Sequence, residues 1–344
     1  MVNSLRGNSV RPGTLRVGAC LSLTGRYARF GRPAAQALSV WAQLDGRAVV
    51  TVADDRSDPD TLAQALPGVA GRCDVLLGPY STGLMRVAGR LAARHGWLLW
   101  NHGGSGDDVI TAHPGHIVSI LSPASEYAEP FIRHRAAARS GGPLWIAHGT
   151  GRFGQQVAAG AEASAARLGL RTARLDPAAG WPPGDRPWDL FGAGSFEEDV
   201  DLVRRAQAAA RPPRMVATVA AGVREFGSSG VDPAGVYGVG QWFPGGPAAR
   251  DPWVGPAEAV FLAAYAAHHG TVPDYPAVQA VAAAALASHC LRQAGPGDLW
   301  AAALALDTST LFGRFRIRPG DGRQMAHRTV LVRWDDRTPA LVQM

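Results

Sequence analysis

Two polar loops in this chain carry the residue types that can grip a small molecule. The first reads Gly78-Pro79-Tyr80-Ser81-Thr82-Gly83 and runs into a helical pattern. Ser81 or Thr82 can cap that helix. The cap leaves backbone N–H groups and the positive end of the helix dipole to meet a carboxylate or another anion. A plain N-cap accounts for the same residues. The second loop reads Asn101-His102-Gly103-Gly104-Ser105-Gly106-Asp107-Asp108. Its paired glycines let the backbone approach a ligand closely, and Ser105 can offer both a hydroxyl and an N–H. No Gly-x-x-x-x-Gly-Lys-Ser/Thr pattern occurs, so this is not a phosphate-binding P-loop.

Catalytic chemistry finds no support. Asp54 and Asp55 are adjacent, so on an extended chain they point to opposite faces and make a poor acid–base pair. A turn-and-cap role before Ser57-Asp58-Pro59 suits them better. His102 stands alone, which favours a hydrogen-bonded role over a metal or catalytic one. Neither Gly-x-Ser-x-Gly nor His-Glu-x-x-His is present, and no Ser/His/Asp set is signalled. The three cysteines, Cys20, Cys73 and Cys290, form no metal-ligand spacing and no evident disulfide framework. No catalytic residue, metal or cofactor is therefore expected. Trp242 and Phe243 follow a strand-like run, where a tryptophan serves either as core or as pocket wall.

The elements that position these loops alternate. Strand patterns over 15–23, 48–52, 74–77 and 97–100 are separated by helical patterns over 33–44, 61–70 and 84–95. A second series follows: strands at 143–148, 170–175, 215–220 and 236–240, with helices at 155–168 and 196–211. Such alternation implies parallel sheets covered on both faces. Two Ala-rich helices, 256–270 and 276–294, come next. A β-hairpin is then expected from 312–317 and 329–334 around the turn Pro319-Gly320-Asp321-Gly322. The fold class is α/β, with two Rossmann-like lobes. In open parallel sheets ligands bind beyond the C-terminal strand ends. That rule selects the loops after Leu23, Val52, Leu77, Trp100, His148, Ala220 and Gly240.

Length and charge set the outer limits. A chain of 344 residues suits two lobes better than one core. All 34 basic residues are arginine and the net charge is +6. The arginines are scattered singly, with Arg204-Arg205 the one adjacent pair, so nucleic acid is not an expected partner. No run of eighteen apolar residues signals a membrane span. Residues 1–13 read as a disordered extension without the apolar region of a signal peptide. Val17-Gly18-Ala19-Cys20 mimics the end of a lipoprotein box but sits inside the first strand pattern. The expected location is cytoplasmic if the chain is complete and extracytoplasmic if a leader is missing.

Five segments in order resemble the branched-chain amino-acid binding family of ABC importers. Leu23-Thr24-Gly25-Arg26-Tyr27-Ala28-Arg29-Phe30-Gly31 is similar to its opening "PLTG-x-Y-A-x-x-G" turn, and VADDRSDPDTLAQAL to its "DDxSDPxxA" segment. GPYSTGLMRVAGRLAARHGWLLWNHGGSGDDV, AHGTGRFGQQVAAG and DTSTLFGRFRIRPGDGRQMAHRTVLVRW resemble later family segments. The resemblance spans about 15–334.

The resemblance implies a periplasmic-binding-protein type I fold whose two lobes, joined by a multi-strand hinge, close on a small ligand. Lobe 1 would take 14–122 plus 249–311, and lobe 2 would take 123–248 plus 312–344. The family's ligand grips fall on Ser81 or Thr82 and on Gly104 with Ser105, and its second-lobe aromatic on Phe153. Its acidic partner for an ammonium falls near Gln241 or Trp242, where no acid stands. A buried ammonium without a partner is costly, so this departure turns the expectation away from a plain α-amino acid. The Gln-Trp pair resembles a subgroup whose tryptophan lines the pocket, which points to an aromatic or bulkier organic ligand. Tyr27, Tyr80, Asn101 and Gly222 complete the candidate contacts. Tyr80 also resembles a tyrosine of cytosolic amide or urea sensors that hold a regulator. The implied function is a solute-binding protein for an amino acid or an aromatic or organic acid, working with an ABC permease. The alternatives are such a cytosolic sensor with a regulatory partner, or an enzyme on the same scaffold.

Overall fold

Apolar strands that end in polar loops build two large sheets and one two-stranded sheet among the described residues. The computed structural model describes residues 13–138, 141–182, 186–246, 252–294 and 297–343. The expected extension at 1–13, apart from Gly13, and the lobe boundary at 248/249 lie outside those residues.

The first sheet comes from β1 (Leu15–Leu21), β2 (Ala48–Asp54), β3 (Val75–Leu77), β4 (Leu99–Asn101) and β5 (Ile117–Ser119). All neighbours are parallel, in the order β2-β1-β3-β4-β5. The crossovers are α1 (Ala28–Asp45), α2 (Pro59–Ala70), α3 (Thr82–His95) and α4 (Asp107–Thr111). Asp58 caps α2 by accepting from the Thr61 N–H at 2.7 Å, with Pro59 in the first turn where its missing N–H costs nothing. Asp54 and Asp55 take the expected turn role. Asp54 accepts from the N–H groups of Leu23, Thr24 and Arg56, and Asp55 from the Ser22 hydroxyl and the Ser57 N–H.

The chain crosses at 120–125 to the second lobe. There follow α5 (Glu129–Ala137), β6 (Leu144–His148), α6 (Arg152–Arg167), β7 (Thr172–Arg174), β8 (Asp189–Ala193), α7 (Phe196–Gln207), β9 (Val216–Thr218) and β10 (Tyr237–Gly240). The chain then returns through α8 (Glu258–His269), α9 (Tyr275–Ala294) and α10 (Leu299–Leu304). The small residues of α9 let it pack closely on α1 and the first sheet, burying Tyr275 to Ser288 almost without interruption. Inside the second lobe Arg135 and Asp189 form a fully buried ion pair at 2.8 Å.

The expected terminal hairpin is corrected. β11 (Thr308–Thr310) pairs with β12 (Gly313–Phe315), and β13 (Val330–Asp335) pairs with β14 (Thr338–Leu341) and β10. A single bridge, Ile317 with Gln324, is what forms around the Pro319–Gly322 turn. The reason is that 316–329 is consumed in a crossing between lobes. The second sheet therefore runs β14-β13-β10-β9-β8-β6-β7. Phe312, Phe315 and Ile317, which the sequence reading assigned to lobe 2, pack in the core of the first lobe instead. The strands β5, β8, β11 and β14 had no clear sequence pattern of their own.

Among the described residues three crossings thus join the lobes, and side chains tie them together. Gln241, just past β10, accepts from the Ser122 N–H at 3.1 Å and donates to the Ser122 carbonyl at 2.9 Å. His327 Nε2 lies 2.8 Å from the Gln241 carbonyl, and Gln324 donates to the Ile120 carbonyl at 3.2 Å.

Candidate ligand-binding cleft

A cavity of about 500 Å³ opens between the C-terminal strand ends of the two sheets. That volume lies within the range of small-molecule sites. From the first lobe it is walled by the start of α1, the loop after β3 and the loop after β4. From the second it is walled by the loops after β6, β8 and β9. Tyr275 and Gln279 of α9 complete the lining.

Six sequence candidates meet here: Tyr27, Tyr80, Ser81, Thr82, Ser105 and Phe153. Ser81 caps α3, its hydroxyl accepting from the Leu84 N–H at 3.2 Å, and it holds an unusual positive φ of 96°. The Thr82 hydroxyl accepts from the Gly106 N–H at 3.2 Å, which locks the two ligand loops together. Each hydroxyl keeps its own proton to donate. Aromatic rings supply apolar surface. Phe30 stacks on Tyr80 with centroids 4.6 Å apart, and Tyr127 meets Phe153 edge-on at 5.3 Å.

The other five candidates are not among the residues that line the cavity. Asn101 is fully buried behind the cleft, donating to the Gly104 carbonyl and the Ser119 hydroxyl and accepting from the Gly103 and Gly104 N–H groups. It shapes the loop from within. A Cβ on Gly104 would lie 2.5 Å from Met85, and one on Gly222 would lie 2.3 Å from the Val239 carbonyl oxygen. These glycines permit close packing and do not face the cavity. Gln241 is occupied in the hinge. Trp242 packs in the first hydrophobic core, 4% exposed.

Charged side chains of both signs line the cleft. Arg26, Arg29, Arg86 and Arg152 line it against Glu197 and Glu198. Arg29 reaches across to the second lobe, pairing with Glu197 at 2.5 Å and Glu225 at 3.2 Å, with its guanidinium 4.3 Å from the Phe196 ring. Arg86 pairs with Asp108 at 2.7 Å. Glu198 accepts from the N–H groups of Ser195 and Thr150, within a capping box that starts α7. Although burial opposes its charge, these bonds hold Glu198 below the usual carboxylate range. Both lining acids are therefore already engaged.

Sequence reasoning missed the floor of the cleft. Tyr127 and Tyr275 are buried there and line the cavity together with Tyr80. Burial raises all three phenols above the ordinary tyrosine range, so they stay neutral. No group of metal-ligating side chains occurs among the described residues.

Beneath the second-lobe loops, Asp199 is buried and accepts from the Ala220 N–H at 2.9 Å. Burial pushes its pKa up to about 7. A carboxyl with a raised native pKa contributes most below its unfolded value, and that contribution is lost as pH rises toward 7. Asp199→Asn should therefore gain about 2 kcal/mol over wild type on moving from about pH 5 to about pH 8. Urea denaturation at both pH values measures this, and an equal difference at the two would refute it.

Two α/β lobes, three crossings and a cleft at the strand ends define a type I periplasmic binding protein fold. Residues 14–179 match the model of a family described as periplasmic binding protein. The chain is similar in structure to the LivJ substrate-binding protein of Streptococcus pneumoniae, solved with isoleucine, with a TM-score of 0.78, 13% identity and coverage of 96% of this chain and 99% of that one. An R. palustris solute-binding protein in complex with benzoate aligns with a TM-score of 0.73 at 16% identity, covering 96% of each chain. Another from Rhodopseudomonas palustris BisB5, in complex with 3,4-dihydroxybenzoic acid, aligns with a TM-score of 0.70 at 15% identity over 93% of each chain. No curated protein sequence matches. No helix among the described residues is long and apolar enough to cross a membrane.

Proposed function

We propose that the protein is a solute-binding receptor for a small organic carboxylate with an aromatic body, serving an ABC permease. The observation that carries this reading is the cleft's combination of aromatic walls and arginines with two glutamates that are both engaged. An α-amino acid would bring an ammonium with no free carboxylate to meet it, a costly burial. A carboxylate suits the first turn of α3, where the opening N–H groups lack intrahelical acceptors and Ser81, Thr82 and Ser105 add hydroxyls. The stacked Phe30–Tyr80 pair and the Tyr127–Phe153 pair suit a planar ring. The benzoate bound by a structural neighbour has this chemistry.

Thermal-shift measurement tests the reading, because a ligand that binds only the folded state raises the melting temperature. Benzoate is expected to stabilise the protein, while leucine and acetamide leave it unchanged. Stabilisation by leucine alone would restore the amino-acid reading. Stabilisation by acetamide alone would favour an amide sensor.

A further inference from the structure

Helix α9 is a run of small apolar residues with one exception in its first half. Between Tyr275 and Ala287 every residue is apolar save Gln279, which is 1% exposed. Its Oε1 is buried without a hydrogen-bond partner, and the residue lines the cleft. An unsatisfied buried acceptor is expensive, whereas a methionine or leucine there would cost nothing of the kind. The other polar residue of the buried run, Ser288, satisfies itself on the Ala284 carbonyl at 2.6 Å. The four-residue spacing puts Gln279 on the same face as Tyr275, and Tyr80, Tyr127 and Tyr275 line the same cleft.

We propose that Gln279 is a specificity determinant that accepts a hydrogen bond from the ligand, so that the preferred solute is an aromatic carboxylate bearing a ring hydroxyl. This rests on the aromatic-carboxylate reading of the cleft and deepens it. A neutral amide oxygen matches a neutral O–H donor. The nearby phenols can accept or donate as the ligand requires, which gives a hydroxylated ring a second partner. A bare ring would leave the amide oxygen as orphaned as it is without ligand.

Isothermal calorimetry on the full chain with benzoate, 3-hydroxybenzoate and 4-hydroxybenzoate tests this. At least one hydroxybenzoate is expected to bind wild type about tenfold or more tightly than benzoate, a difference of about 1.4 kcal/mol. In Gln279→Met the ratio of hydroxybenzoate to benzoate affinity should collapse to about parity, since the acceptor is lost. The ligand-free variant should melt no lower than wild type, and Gln279→Leu provides a second apolar replacement should methionine fail to fold. Equal affinity of wild type for all three acids, or an undiminished preference in the variants, overturns the role of Gln279 and leaves the carboxylate reading standing. Failure of wild type to bind any of the three overturns both.

Discussion

Replacing Trp242 by alanine is expected to lower the unfolding free energy by about 3–5 kcal/mol, the range for removing a large aromatic from a packed core. The side chain is 4% exposed and belongs to the cluster that includes Trp41, Phe261 and Tyr275. It is not among the residues that line the cleft. The sequence reading placed it against the ligand because it follows β10 at a C-terminal strand end. The strand-end rule locates loops, however, and not the direction a side chain takes from them. Chemical denaturation gives the stability change, and calorimetry with benzoate gives the affinity. A variant that unfolds at the wild-type midpoint but binds poorly would return Trp242 to the pocket.

What the sequence made legible follows from periodicity and spacing. Seven of the eight strands expected before residue 241 have counterparts at β1–β4, β6, β9 and β10, and β7 overlaps the eighth. The loops after β3 and β4 read as ligand loops because serine and glycine at a strand end seldom serve the core, and Ser81, Thr82 and Ser105 do line the cavity. Asn101 was legible as important but not as a brace, since its four hydrogen bonds go to its own loop and to Ser119. Tyr275 and Gln279 were invisible because α9 reads as a core helix throughout. Their role depends on which of its faces the second lobe leaves uncovered, a tertiary fact with no local pattern. One signal was available: an amide in the midst of an otherwise apolar run. The terminal strands misled for a related reason. A glycine turn between two β-rich runs usually makes a hairpin, but here the long run 330–335 finds a better partner in β10, and the intervening segment becomes a crossing.

Gln241 carries the second large effect. Its amide makes a reciprocal pair with the backbone of Ser122, a fully buried residue on another crossing. Its own carbonyl faces His327 on the third. One side chain therefore joins the chain segments that link the lobes. Gln241→Leu keeps the volume but leaves the Ser122 N–H and carbonyl without these partners in a buried place. At about 1–3 kcal/mol for each orphaned group, the expected loss is about 2–5 kcal/mol. Gln241→Glu separates hydrogen bonding from packing. When protonated, its carboxyl can accept from the Ser122 N–H and donate to the Ser122 carbonyl as the amide does. When ionised it can only accept, and it buries a charge. The glutamate variant should therefore approach wild-type stability in mild acid and lose it as pH rises, because a carboxyl held protonated by burial stabilises the fold only below its native pKa. Denaturation curves of the three proteins at about pH 5 and about pH 8 decide the matter. A leucine variant as stable as wild type, or a glutamate variant indifferent to pH, would mean that the crossings are held by packing and that the Gln241–Ser122 pair contributes nothing to the hinge.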